Sequence, residues 1–343
     1  MISTSLHPTL DFTSGMHAIV TGSGSALPDP ARAGAGVAVV VDGTVLQFDC
    51  GRNTTSSLCR SNINPLDIDH LFLTHLHFDH VAEYGYLLMS SWIAGRDDVL
   101  QVWGPSGVRT FSERTVGAHA VDATFFEHIV DTWPSGPSKP PRRALPATVT
   151  EIDKLGTVLA TDTVQVRVSE TPHYRDMGVI NLAYRVDCAY GSVVVTGDGR
   201  PSQQVIDLAD AADLLVHECA KPDPGMIEGG KFSDSNEGYD LTPSRRWAGG
   251  HTTPTWLGEA AAAARVKTVV ATHLAPLSSG PAATQMSRLF TGGVEHGDEI
   301  WNEYHNRIRA SFDGDIAIAK DGMIFGISPS GVELFTDKEA EHS

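Results

Sequence analysis

Residues 75 to 80 read His-Leu-His-Phe-Asp-His, three imidazoles and a carboxylate within six positions. Imidazole nitrogen and carboxylate oxygen are the donors that zinc and its neighbours prefer. The motif follows the apolar run LFLT (71–74), so it starts where a strand ends. From there His75 and His77 project to one side, while Asp79 and His80 turn towards a second position beside it. Six residues do not complete two coordination shells, and three further strand ends carry a donor. His173 follows the strand ending in Ser169-Glu170, Asp198 follows SVVVTG (192–197), and His273 follows KTVVAT (267–272). Carboxyl ends of strands are where α/β sheets gather ligands. The set comprises five His and two Asp, which suits two divalent ions bridged by one carboxylate and one hydroxide. Zinc is the expected ion, with manganese or iron as alternatives. A cation pair lowers the pKa of a water towards neutrality and so supplies hydroxide. Asp79 and Asp198 would hold the ions and accept a hydrogen bond from that nucleophile.

Such donors need a scaffold that brings distant strand ends together. Apolar and β-branched runs predict strands at 16–21, 37–50, 68–74, 99–103, 163–170, 179–187, 192–197, 213–218 and 267–273. Asp42-Gly43 splits the second run into a hairpin. Helices are predicted after His80 and at 106–117, 202–211 and 255–265, the last opened by Thr253-Pro254. Some strands join directly and others alternate with helices, so the class is mixed α/β with sheets inside and helices outside. One domain over 1–343 is expected, with irregular loops at about 132–148, which holds five prolines, and 221–254. Trp133 in the first loop and Phe232, Tyr239 and Trp247 in the second either cover an apolar leaving group or anchor the loops. Arg245-Arg246 either grip an anion or form a solvated face.

The chain has 343 residues, with 25 Lys and Arg against 42 Asp and Glu, a formal charge of −17. That balance disfavours a general nucleic-acid binder, which draws affinity from neutralising phosphates, although a local basic groove stays compatible with it. No apolar run approaches the roughly 18–20 residues of a membrane span. Residues 1–16 lack the pattern of a secretory signal. Cys50, Cys59, Cys188 and Cys219 form no CxxC pair, as expected of reduced thiols in a cytoplasmic protein.

From about Met16 to Ile327 the sequence resembles the metallo-β-lactamase superfamily, with His75, His77, Asp79, His80, His173, Asp198 and His273 in the expected order. The resemblance implies a four-layer αββα sandwich with a dinuclear site at one rim. It assigns His75, His77 and His173 to one ion, Asp79, His80 and His273 to the other, and Asp198 as the bridge. His217-Glu-Cys-Ala220 and Gly250-His-Thr-Thr253 are similar to motifs of the ribonuclease Z branch, which includes arylsulfatase-like and cyclic-nucleotide phosphodiesterase-like members. The stretch from Phe312 to Met323 resembles that branch's final hairpin. In the branch the matches to Glu218 and His251 form a pair that helps a leaving oxygen depart. A carboxylate that orients an imidazole and stabilises its cation makes it a proton donor to an alkoxide.

Two departures from ribonuclease Z weigh against tRNA. The tRNA-gripping arm would lie between His173 and Asp198, where the chain leaves room for two strands and a turn. The substrate-binding Arg-Asn pair of the N-terminal loop is reduced to Arg32, with Ala33 beside it. The first expectation is therefore a dinuclear metal-dependent hydrolase that uses a metal-bound hydroxide on a small phosphodiester, sulfate ester or lactone-like substrate. The alternative is a ribonuclease Z-type endonuclease acting at the 3′ end of tRNA without the usual arm, for example as a homodimer. A di-iron redox protein is a third class, but it would carry a carboxylate in place of His77 or an appended flavin domain.

Overall fold

The computed structural model describes residues 3–6, 10–96, 98–132, 147–223, 225–226, 250–277, 280–288 and 295–336. Trp133, Phe232, Tyr239, Arg245, Arg246 and Trp247, with most of the two irregular loops, lie outside them. Among the described residues sixteen strands form two sheets.

The first sheet contains β1 (Ser3–Leu6), β2 (Met16–Gly22), β3 (Gly36–Val41), β4 (Thr44–Phe48), β5 (Ile68–Phe72), β6 (Leu100–Gly104), β7 (Ala147–Glu151), β15 (Ile324–Ser328) and β16 (Gly331–Thr336), in the order β1-β16-β15-β2-β3-β4-β5-β6-β7. The second holds β8 (Gly156–Ala160), β9 (Gln165–Thr171), β10 (Asn181–Cys188), β11 (Gly191–Thr196), β12 (Leu214–Glu218), β13 (Thr268–Thr272) and β14 (Asp315–Ile318), in the order β14-β13-β12-β11-β10-β9-β8. Asp42 (φ 47°) and Gly43 (φ 82°) make the tight turn between β3 and β4, because a two-residue turn matched to strand twist needs positive φ at both positions.

Helices α1 (Thr54–Arg60), α2 (Phe78–Val81), α3 (Tyr84–Ile93), α4 (Val108–Ala118) and α5 (Ala120–Thr132) belong to the first half of the chain. Helices α6 (Gln203–Leu208), α7 (Pro254–Ala263), α8 (Pro281–Met286) and α9 (Glu299–Arg309) belong to the second. The strands are apolar on both faces because both faces are covered. Val37, Val39, Phe48 and Phe72 meet Val166, Tyr184, Val195 and Val216 between the sheets. The opposite face of the first sheet packs Leu71 and Val102 on Leu58, Tyr84 and Leu87 of α1 and α3. That of the second packs Leu215 and Val269 on Leu257, Ala261, Ile300 and Tyr304 of α7 and α9. The result is the expected αββα layering.

Strands β11, β12 and β13 run parallel, and β9 shares their direction because both β9 and β11 are antiparallel to β10. Strands β4 and β5 are parallel in the other sheet. Their carboxyl ends carry the candidate donors. Gly197 is where the sheets touch at that rim: a Cβ there would lie 2.6 Å from Thr74 Cβ and closer still to Asn181 Oδ1. Gly197→Ala is therefore expected to lower stability by about 1–3 kcal/mol through overpacking. An unchanged melting temperature would contradict it.

The stretch from Phe312 to Met323 is not the hairpin expected of it. β14 pairs in parallel with β13, and the chain then crosses to the first sheet, where β15 pairs with β2 and β16. The closing hairpin is β15–β16. The cause is local: Ala317 and Ala319 are buried in the central core, and the Asp321 carboxylate accepts from Ser23 N, Ser23 Oγ and Ala33 N. That segment is a strap between the sheets. Among the described residues no helix is long and apolar enough to cross a membrane.

Candidate metal centre

His75 lies three residues beyond β5, His77 precedes α2, and Asp79 and His80 lie on its single turn. From the second sheet come His173 beyond β9, Asp198 beyond β11 and His273 beyond β13. One donor atom from each of His75, His77, His173 and Asp198 lies within 4.8 Å of the others, and the same holds for Asp79, His80, Asp198 and His273. Asp198 is common to both groups, with Oδ1 3.2 Å from both His80 Nε2 and His273 Nε2.

Hydrogen bonds behind the rings decide which nitrogens face inward. His80 Nδ1 donates to Asp49 Oδ2 at 2.7 Å. His75 Nδ1 donates to Thr74 Oγ1 at 3.0 Å, and that hydroxyl in turn donates to Asp49 Oδ2 at 2.9 Å. His173 Nδ1 donates to the Gly250 carbonyl at 2.9 Å. Each bond fixes the proton on Nδ1 and leaves the Nε2 lone pair for the interior.

Burial, reinforced by neighbouring imidazoles, holds His75 well below the usual imidazole value, and burial takes His173 down to about 4. Burial also lowers His77. Burial works against the charge on His80, yet Asp198, Asp49 and Asp79 raise it well above the usual range. Burial would raise Asp198, but His273 and His80 hold it well below the carboxylate range.

This donor set fits a pair of cations. His75 Nε2 and Asp198 Oδ1 are buried and find no hydrogen-bond partner among the described residues. His80 Nε2 and His273 Nε2 face each other at 3.1 Å, and His173 Nε2 and His77 Nδ1 at 3.3 Å. Lone pairs packed so closely repel unless a positive charge lies among them, and neutral imidazole with ionised carboxylate is the state that binds metal.

Glu218, the last residue of β12, and His251 stand against this centre. His251 Nδ1 lies 3.0 Å from Glu218 Oε1 and 3.9 Å from Asp198 Oδ2. Glu218 Oε1 also accepts from Gly199 N and Thr252 N, each at 3.0 Å, and Oε2 accepts from Ala220 N at 2.8 Å. Burial would raise the Glu218 carboxyl, but the His251 charge and hydrogen bond lower it.

All nine predicted site residues thus share one rim. Arg32 does not join them: it is buried, its Nη1 donates to Ser23 Oγ and Ala319 O, and it lies 4.9 Å from the Trp301 ring centroid. Asp49 was missed from sequence. Its signal was the one that marked Asp198, an acidic residue directly after an apolar strand.

Asp49 accepts three bonds, two of them at Oδ2. Asn at this position turns one acceptor into a donor, and His80 would then have to move its proton to Nε2, into the centre. Asp49→Asn is expected to weaken metal affinity by about 10–100-fold. A chelator competition titration measures it, and unchanged affinity would leave Asp49 a role in the fold alone.

Comparison with known proteins identifies the family. A family profile described as "Anti-Pycsar protein Apyc1" matches residues 16–96. Ribonuclease Z of Mycobacterium avium (strain 104) is 31% identical over 288 residues, 81% of this chain and 94% of that protein. Ribonuclease Z of Mycobacterium bovis (strain BCG / Pasteur 1173P2) is 31% identical over 300 residues, 83% and 97% of the two chains. Among solved structures, the metallo-β-lactamase fold protein YhfI of Bacillus subtilis superposes with a TM-score of 0.61 at 19% identity, over 90% of this chain and 98% of its own. Human tRNase Z, short form, gives 0.58 at 19% identity, over 91% and 99%. These two likenesses speak to fold. The mycobacterial alignments, spanning nearly the whole of those relatives, carry the rest: the chain is a metal-dependent hydrolase that belongs to the metallo-β-lactamase superfamily, in its ribonuclease Z branch.

Proposed function

We propose that the protein hydrolyses a phosphodiester of RNA, as a ribonuclease Z-type endonuclease at the 3′ end of tRNA. The observation that carries this reading is the buried Glu218–His251 pair beside Asp198. Cleavage of an RNA strand expels a ribose alkoxide, a poor leaving group that needs a proton as it departs. The names of the mycobacterial relatives support RNA as the substrate.

His75, His77 and His173 would hold one cation, Asp79, His80 and His273 the other, and Asp198 both. Two divalent ions, with zinc the best match to imidazole and carboxylate donors, supply Lewis acidity towards a phosphoryl group and a reactive water near neutral pH. Glu218, fixed by three backbone amides, accepts the His251 Nδ1 proton and sets the plane of the ring. The proton on Nε2 is then the one His251 gives to the departing oxygen. Asp79 and Asp198 would accept a hydrogen bond from the attacking water and align it.

A smaller phosphodiester is the second reading, and one observation favours it. β10 and β11 are joined by Ala189 and Tyr190 alone, within the interval between His173 and Asp198 where the branch's tRNA-gripping arm would be inserted. The test is an activity panel on protein reconstituted with zinc, manganese or iron: precursor tRNA, bis(p-nitrophenyl) phosphate, an aryl sulfate and a lactone. Cleavage of precursor tRNA beside the discriminator base is the expected result. Turnover of the small diester alone selects the second reading, and turnover of only the sulfate or the lactone overturns both.

A further inference from the structure

Tyr174, the residue after the donor His173, has φ 46°. A bulky side chain is an outlier in the left-handed region, and it persists there only when its surroundings hold it. The turn that follows is closed: Met177 N donates to Tyr174 O at 2.9 Å, and Gly178, at φ 85°, ends it. In this conformation the Tyr174 ring lies against His173, with 4.6 Å between centroids and 59° between planes. The same ring stands edge-on to His251, 6.4 Å away at 79°. His173 and His251 are themselves 5.1 Å apart at 66°, so the three rings form one cluster.

Gly250 is the seat of that cluster. Its carbonyl accepts from His173 Nδ1 at 2.9 Å, and its Cα faces the Tyr174 ring. A Cβ on Gly250 would lie 2.6 Å from Tyr174 Cζ, 2.7 Å from Cε2 and 2.9 Å from the hydroxyl oxygen. Gly250 is not among the glycines with positive φ, so its lack of a side chain serves the ring rather than the backbone. From Gly250 the chain passes through His251 to Thr252, whose N–H donates to Glu218 Oε1 at 3.0 Å.

Glu218 Oε1 accepts from His251 Nδ1, but one hydrogen bond leaves an imidazole free to tilt about it, because the ring torsion of histidine is broad. Rings packed against the imidazole remove that freedom. We propose that Tyr174 is a positioning residue for the proton donor: its ring, seated on Gly250, holds the 250–252 segment and the His251 plane so that Nε2 meets the leaving oxygen. The proposal rests on the reading of His251 as general acid given above. It also accounts for the left-handed backbone at Tyr174, which is the conformation that brings the ring to this seat.

Tyr174→Gly removes the ring and keeps the turn, since glycine takes positive φ without penalty, and Tyr174→Phe keeps the ring. Rates are compared with both metal positions saturated. Misplacing a reacting group by about 1 Å costs on the order of a hundredfold. Tyr174→Gly should therefore lower kcat for an oligoribonucleotide by about 10–100-fold, with KM nearly unchanged. Turnover of bis(p-nitrophenyl) phosphate, whose leaving group needs no proton, should fall by no more than about threefold. Tyr174→Phe should match wild type on both substrates.

Gly250→Ala gives a second reading. With the ring in place the new methyl must push the ring or the 250–252 segment aside, and the same leaving-group contrast should appear. In Tyr174→Gly/Gly250→Ala the methyl enters space that the ring has left, so the double variant should be no slower than Tyr174→Gly alone. Losses that multiply in the double variant would overturn the positioning role. So would equal slowing of both substrates by Tyr174→Gly, a raised KM at unchanged kcat, or a Tyr174→Phe as slow as Tyr174→Gly.

Hydrogen exchange of the Thr252 amide follows the segment without any substrate. It should quicken by about tenfold in Tyr174→Gly and keep the wild-type rate in Tyr174→Phe; an unchanged rate in Tyr174→Gly would also overturn the proposal. If no phosphodiester is turned over, the functional reading fails, while the exchange rates still decide whether the ring holds the segment.

Discussion

Asp198→Ala should empty both metal positions, whereas His77→Ala should empty one. The asymmetry follows from geometry. The Asp198 carboxylate is shared by both donor groups, and His77 belongs to the first alone. Asp198 also lies within 3.9 Å of His75, His80, His173 and His273. Its carboxylate is therefore the one anion that the donors of both groups share. Without it each group keeps three donors and loses its common anion. Metal analysis after gel filtration should fall from about two ions per chain to well under one in Asp198→Ala, and to about one in His77→Ala.

Activity of Asp198→Ala should drop by at least about a thousandfold, the upper range for removing one charge-stabilising group. Stability gives an independent reading. Ions that bind only the folded state raise its melting temperature, so a chelator should lower that of wild type and leave Asp198→Ala unmoved. Two ions retained in Asp198→Ala, or both lost from His77→Ala, would show that the shared carboxylate is not the bridge.

The same residue shows why much of this centre was legible in the sequence. Donors at strand ends stand out because an apolar run before them has no local use for a charge. Asp198 after SVVVTG and His273 after KTVVAT are both of this kind. The Asp42-Gly43 turn was equally plain, since few dipeptides tolerate two positive φ angles.

What stayed hidden was decided by partners distant in sequence. Asp49 carries a strand-end signal of its own, but its role behind the ligands shows only once β4 and β5 lie side by side and it meets Thr74 and His80. Strands β7 and β8 are half exposed along most of their length and lack the apolar runs that mark a buried strand. Arg32 read as a substrate group because its loop matched a motif, while its real partners, Ala319 and Trp301, come from the other end of the chain. The Phe312–Met323 stretch has the turn chemistry of a hairpin, and only the two-sheet architecture shows that its flanking strands belong to different layers.

Replacing His251 with Ala should slow substrates in proportion to how badly their leaving group needs a proton. An alkoxide leaves poorly without general acid help, and such help contributes about 10²–10⁴ in rate. A nitrophenoxide leaves unassisted, so its loss should stay within about tenfold by the same reasoning. The contrast between the two losses is the measurement, because a ring that merely packed the site would slow both alike. Packing is a real competitor: His251 stacks on His273 at 5.8 Å and lies edge-on to His173 at 5.1 Å, so its removal also disturbs two of the donors. Metal content of His251→Ala must therefore be measured beside its rates. Glu218→Gln separates the remaining roles, since it keeps the volume but puts a donor where three backbone amides and an imidazole all require an acceptor. It should therefore reproduce the leaving-group contrast in weaker form. Equal slowing of alkoxide and nitrophenyl substrates in His251→Ala, at full metal occupancy, would take the proton-donor role away from this residue.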